Sequence, residues 1–336
     1  MATSTQSQTP AATHTTGSRV PDFFIVGAPK SGTTALFHML RSHPQIYMPK
    51  LKEPNFLASD MGPPEQFADA PRERKFPHTL EEYLALFDDA TPAQRAGEAS
   101  ACYLLSRTAA ARIAELQPQA RIIAILREPA SFLRSMHMML LRLGLESESD
   151  LGKAIELESA RSKGKRIPSY CYRPQLLQYS QHVRYVDQLR RHHAHFPREQ
   201  VLALIYDDFR SDNDATVRSV LRFLDVDDAA PIDATNWNET TTTVRSPQAR
   251  QLVRSLRAPS SPLARAARAT IMALTPSDVG RRAKQKFNKR FVKVQAPPPD
   301  ERTMRELRQR FKPEVVALSE HLDRDLVSLW CEDRVA

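Results

Sequence analysis

Residues Gly27 to Thr34 read Gly-Ala-Pro-Lys-Ser-Gly-Thr-Thr. One lysine, three hydroxyls and two glycines within eight positions suit the binding of a single phosphate-like anion. The glycines let backbone N–H groups turn toward such a ligand, and a helix that follows would add the positive end of its dipole. The spacing approaches the Gly-x-x-x-x-Gly of a nucleoside-triphosphate P-loop, but Thr33 stands where that loop has its lysine, and the lysine comes earlier, at Lys30. A second stretch, Arg121 to Ser135, reads RIIAILREPASFLRS. A P-loop ATPase needs an acid near such a strand end to help hold Mg²⁺. Arg127 occupies that place here, and a guanidinium repels Mg²⁺ while gripping a further phosphate through paired N–H donors.

The elements that must position these residues are legible from apolar runs. Phe23 to Val26, Arg121 to Leu126 and Val201 to Tyr206 are short buried strands. Helical patterns lie at about 33–42, 79–88, 107–116, 129–143, 175–195 and 213–224. Strands alternating with helices predict an α/β fold with a parallel sheet flanked by helices. Past about Val244 the chain turns helical and basic, with 18 Lys or Arg against 4 Asp or Glu over residues 245–312. A last helix is expected from Asp300 to Trp330, kinked or divided at Pro313. Residues 1–20 hold too little apolar content to order themselves and read as a disordered tail, leaving 21–336 as a single domain whose 245–336 part is mainly helical.

Composition narrows the function classes. The 336 residues carry a net charge of +9, which suits an anionic ligand without naming it. Cys102, Cys171 and Cys331 are odd in number and far apart, so neither a disulfide framework nor a zinc site is expected. No apolar run is long enough to span a bilayer and no secretory leader is evident, so a soluble, cytoplasmic protein is expected, with peripheral membrane contact left open. A nucleic-acid partner is not expected, because residues 245–312 show neither a known binding motif nor interleaved aromatics. A nucleotide kinase is the rival enzyme reading, opposed by Thr33 and by the missing strand-end acid.

Pro-Lys-Ser-Gly-Thr-Thr after an N-terminal strand resembles the donor-binding loop of the sulfotransferases that use 3′-phosphoadenosine 5′-phosphosulfate (PAPS), a family with the P-loop-type fold. The resemblance implies that Lys30, Ser31, Gly32, Thr33 and Thr34 hold the 5′-phosphosulfate, with Lys30 also stabilising the leaving oxygen. It implies that Arg127 and Ser135, eight residues apart, hold the 3′-phosphate, with Ser131 an alternative hydroxyl. Tyr206 matches a strand-end tyrosine near the adenine. A further donor to the 3′-phosphate is left open between Arg281 to Arg290 and Lys293.

Lys50 to Phe56, Lys-Leu-Lys-Glu-Pro-Asn-Phe, resembles the Lys-Glu-Pro element of the carbohydrate-type branch and makes Glu53 the expected general base. His43 and His137 are the rival bases, Lys52 could assist at the sulfuryl group, and Glu98 matches an acceptor-side position without a stated role. The family needs no catalytic metal, releases 3′,5′-ADP, and takes saccharide, lipid or other small-molecule acceptors.

Overall fold

A computed structural model describes residues 19–61, 76–169, 171–233, 242–244, 293–295 and 300–331. Residues 1–18 of the expected tail and the Arg281 to Arg290 tract lie outside the described residues. In chain order the main elements are β1 (Phe23–Gly27), α1 (Thr33–Arg41), β2 (Ile46–Tyr47), α2 (Leu80–Leu84), β3 (Arg95–Ala99), α3 (Ala109–Leu116), β4 (Arg121–Leu126) and α4 (Pro129–Leu143). Then come α5 (Leu151–Glu156), α6 (Glu158–Ser162), α7 (Tyr179–His182), α8 (Tyr185–His193), β5 (Val201–Ile205), α9 (Tyr206–Ser211) and α10 (Asn213–Phe223). Strands β6 (Thr242–Val244) and β7 (Lys293–Gln295) pair antiparallel, and the chain ends in α11 (Glu301–Leu322) and α12 (Val327–Trp330).

Strands β1 to β5 form one sheet in the order β2-β3-β1-β4-β5, with every pairing parallel. Successive side chains point to opposite faces, and both faces are covered. Phe24, Val26, Ile122 and Leu126 join a cluster with Phe132 and Met136 of α4, Leu189 of α8 and Leu307 and Phe311 of α11. Phe23, Ile25, Ile123 and Ile125 join the other with Leu36 and Leu40 of α1 and Val220 and Leu221 of α10. From β1 the chain first builds the β2–β3 side and then crosses to the β4–β5 side. Such a reversal opens a crevice at the carboxyl ends of the strands, here those of β1, β3, β4 and β5.

Three helical expectations change. The run 175–195 is divided into a 3₁₀ turn at Pro174–Leu177, α7 and α8. Gln188 donates its side-chain amide to the carbonyls of Gln181 and His182, so a side chain satisfies acceptors that a continuous helix would have satisfied with backbone. The 79–88 run is α2 followed by a 3₁₀ turn at Ala85–Phe87. The C-terminal helix is not divided at Pro313 but runs unbroken to Leu322. Pro313 is exposed, and the apolar stripe Met304, Leu307, Phe311, Val315 and Leu318 passes on the opposite side. The break comes instead at Asp323, which adopts a left-handed conformation with φ 51°.

The C-terminal helices are tied to the end of β5. The Trp330 indole donates to Asp207 at 2.9 Å, and the Arg324 guanidinium grips both carboxylate oxygens of Asp208, one at 2.7 Å. Both acids stand in the first turn of α9, directly after Tyr206.

Candidate active site

Strand β1 runs into a tightly confined turn. A side chain at Gly27 would meet Ala101 O and Leu104 Cβ at 2.8 Å, and one at Gly32 would meet the Phe209 ring at 2.9 Å. Gly32 also has φ 91°, so glycine is required there on both counts. Ala28 N–H donates to Ile125 O at 2.9 Å, which fixes the turn to β4. Gly32 is the N-cap of α1, without a side-chain cap bond and without an acid in the first turn. The free amide ends and dipole of α1 are thereby left to an anionic ligand. Ser31 and Thr33 are buried in this turn, while Lys30 and Thr34 are half-buried.

Lys30 adopts φ 63° and stands among charges. Burial, followed by the charges of Arg142 and Arg127, lowers its pKa to about 8, with Glu53 opposing the shift. The Arg127 guanidinium, at the carboxyl end of β4, donates to Lys30 O at 2.8 Å and lies 4.6 Å over the Tyr206 ring. Its own carbonyl accepts from Tyr185 OH at 2.9 Å. Lys30, Gly32, Arg127 and Tyr206 are therefore brought together from β1, β4 and α9.

Glu128 is not the partner of Arg127. Its carboxylate caps α4, accepting from Ala130 N at 2.9 Å and Ser131 N at 2.7 Å, and faces Arg308 of α11 at 4.0 Å. Ser135 lies farther along α4, buried, and is not bonded to Arg127 among the described residues. Lys293 falls in β7, whose partner β6 lies against α4.

The acceptor-side segment follows β2. Glu53 and Asn55 take left-handed conformations, φ 60° and 55°, and are pinned to the end of β3. Glu53 N donates to Ala99 O at 2.9 Å and Asn55 N to Ser100 Oγ at 3.0 Å. The Glu53 carboxylate is 46% exposed and pairs with Lys52 Nζ at 2.7 Å. Neither rival histidine is placed to act. His43 accepts from Gln45 N at 3.1 Å and its other ring nitrogen bonds Asp227 O at 2.8 Å. His137 is bonded to Glu148 O at 2.8 Å, and burial lowers its pKa.

Behind Glu53, the fully buried Glu98 on β3 accepts from Tyr83 OH at 3.0 Å and Tyr103 OH at 2.7 Å. Burial raises its pKa to about 7. Neither tyrosine is near Glu98 in a recognisable motif, so this acidic centre had no sequence signal beyond the acid itself. Among the described residues no group of three His, Cys, Asp or Glu could hold a metal ion, and no helix is long and apolar enough to cross a membrane.

Comparison with known proteins gives the family. The 69 residues matching carbohydrate sulfotransferase 15 of Homo sapiens are 38% identical and make up 20% of this chain, but only 12% of that protein's length. The crystal structure of a sulfotransferase from Alicyclobacillus acidocaldarius superposes with a TM-score of 0.63 at 25% identity, over 94% of this chain and 100% of that one. The model described as the sulfotransferase family matches residues 21–230, more than half of the 336 residues. Its span takes in the β1–α1 turn, Glu53, Arg127 and Tyr206, and the chain belongs to the sulfotransferase family.

Proposed function

We propose that this chain moves the sulfuryl group of PAPS to a hydroxyl, less readily an amine, of a carbohydrate, lipid or natural-product acceptor, with residues 21–336 acting as one unit. The observation that carries the reading is Arg127 at the end of β4, bonded to the carbonyl of Lys30 and stacked on Tyr206. The donor turn thus has a second cation in the place where a phosphotransferase keeps its magnesium-binding acid.

The residues present fit the donor. Lys30, the free amide end of α1 and the hydroxyls of Ser31, Thr33 and Thr34 would hold the 5′-phosphosulfate. Arg127, with Ser135, would hold the 3′-phosphate, and Tyr206 would flank the adenine. PAPS supplies an activated sulfuryl group whose bond to the 5′-phosphate breaks as the acceptor oxygen bonds to sulfur. The bonding electrons then pass to a phosphate oxygen of 3′,5′-ADP. Lys30 stabilises the charge growing on that oxygen, and Lys52 the charge on the sulfuryl oxygens. Glu53 takes the proton released by the attacking hydroxyl.

Transfer of ³⁵S from labelled PAPS into extracts of the source cells tests the reaction directly. The same assay with EDTA is expected to keep nearly all of its rate, since Lys30 and Arg127 supply the charge that Mg²⁺ supplies elsewhere. Loss of activity with recovery on adding Mg²⁺ would instead favour a kinase.

Lys30 also imposes a pH dependence. With its free-state pKa lowered to about 8, a bound phosphate should raise that pKa and so take up a proton. The linkage is therefore fully present below about pH 8 and lost above it, so affinity for 3′,5′-ADP should fall by up to about tenfold per pH unit on the alkaline side. Calorimetric titrations from about pH 7 to 9.5 should show this slope in the wild type and a nearly flat profile in Lys30→Ala.

A further inference from the structure

A cavity of about 300 Å³ opens beside Glu53. One wall is α1, where Thr34, His38 and Arg41 recur at helical spacing along one face. That face starts at the donor turn and extends roughly 10 Å from Thr34 to Arg41 at 1.5 Å per residue. The other wall is the segment after β2, which contributes Lys50, Lys52 and Glu53. Arg41, Lys50 and Lys52 therefore line the cavity against one carboxylate, that of Glu53.

One of these three side chains has an ion-pair partner among the described residues. Lys52 is paired with Glu53. Among the described residues neither Arg41 nor Lys50 has an ion-pair partner. The His38 pKa is lowered by burial and then by Arg41 and Lys52, so both cations act on the same small volume. A neutral hydroxyl compound would leave that positive charge uncompensated, whereas an anionic group would be attracted to it. At about 300 Å³ the space takes one ring or a short chain rather than a long stretch of polymer.

We propose that this cavity is an acceptor subsite for a negatively charged group, so that the favoured acceptor already carries a carboxylate or sulfate close to the hydroxyl that receives the sulfuryl group. The inference rests on the reading of the donor turn and Glu53 given above. It adds Arg41 and Lys50 as specificity residues that touch neither the donor nor the transferred proton. Both side chains are exposed at the surface, so their removal leaves the core intact.

The test uses the full chain saturated with 3′,5′-ADP, so that the donor turn is filled before any probe is added. Calorimetry then compares p-nitrophenyl β-D-glucuronide with its methyl ester, which has nearly the same shape without the charge. The glucuronide is expected to bind at least about tenfold more tightly. That preference should shrink as salt is raised and fall below about twofold when Arg41→Ala and Lys50→Ala are combined. The affinity of the double variant for 3′,5′-ADP should stay within about twofold of wild type. Equal binding of the two glycosides, no binding of either, or a preference that survives the double substitution would overturn the subsite. A preference present only without 3′,5′-ADP would assign the cavity to the donor and overturn it as well. Failure of the wild type to bind 3′,5′-ADP is a separate result that removes the donor reading, and this inference with it.

Discussion

Glu53→Gln is expected to lower turnover by about 10² to 10⁴, the usual worth of a positioned general base. Nucleotide binding should hardly change, staying within about threefold, or under ~1 kcal/mol. Glutamine keeps the size and one acceptor oxygen but cannot take the acceptor's proton. The substitution should also fold, because the segment is held by the backbone N–H of Glu53 on Ala99 O and by Asn55 on Ser100, with the carboxylate itself half exposed. Lys30→Ala should behave differently, lowering donor affinity and turnover together, since in the proposed role Lys30 would meet the phosphosulfate before the reaction and more strongly as charge builds. Steady-state kinetics with a saturating acceptor, beside calorimetry with 3′,5′-ADP, separate the two roles. Near-normal turnover in Glu53→Gln would return Glu53 to a surface carboxylate paired with Lys52. The search would then pass over His137, whose ring is bonded to a backbone carbonyl, to the buried Glu98.

Arg127→Ala is expected to erase the preference for 3′,5′-ADP over 5′-AMP by roughly 2 to 4 kcal/mol, the scale of losing a charged hydrogen-bond partner. That corresponds to about 30- to 700-fold in the ratio of dissociation constants. The ratio is the proper readout because Arg127 also braces Lys30 O and covers Tyr206, so its loss should weaken both nucleotides somewhat. Only the nucleotide with a 3′-phosphate would lose the proposed direct contact. Arg127→Lys should fall between, retaining charge but not the planar fork. Equal affinities for the two nucleotides in the wild type would remove the second phosphate site.

Much of this site was legible because strand ends carry it. Strands β1 and β4 are apolar runs buried on both faces, β5 is an apolar edge strand half-buried over its first three residues, and the residues that follow them, Lys30, Arg127 and Tyr206, converge at one end of a parallel sheet. Strand β3 was not legible, although it lies beside β1 in the sheet. Its sequence, RAGEA, has an exposed arginine, a buried glutamate and a glycine against which the Phe23 ring packs, where a Cβ would meet that ring at 2.1 Å. None of these is a strand signal, and the glutamate and the glycine are accommodated by side chains from outside the strand: Tyr83 and Tyr103 for Glu98, Phe23 for Gly97. Glu128 shows the same limit at short range. Its place beside Arg127 suggests a salt bridge, yet the free N–H groups of α4 claim the carboxylate. The break between α7 and α8 depends on where one glutamine amide finds carbonyls, which no periodicity records.

The bond from Trp330 to Asp207 joins residues 123 positions apart, and this separation matters while the chain is being made. At about 5 to 20 residues per second, translation needs roughly 6 to 25 s to deliver the tryptophan after the aspartate. For most of that interval α11 and both C-terminal anchors of the first turn of α9 are still unmade, so Phe132 and Met136 lack the cover that α11 provides. The nascent protein therefore carries an apolar face beside the ribosome for several seconds, during which it is exposed to aggregation.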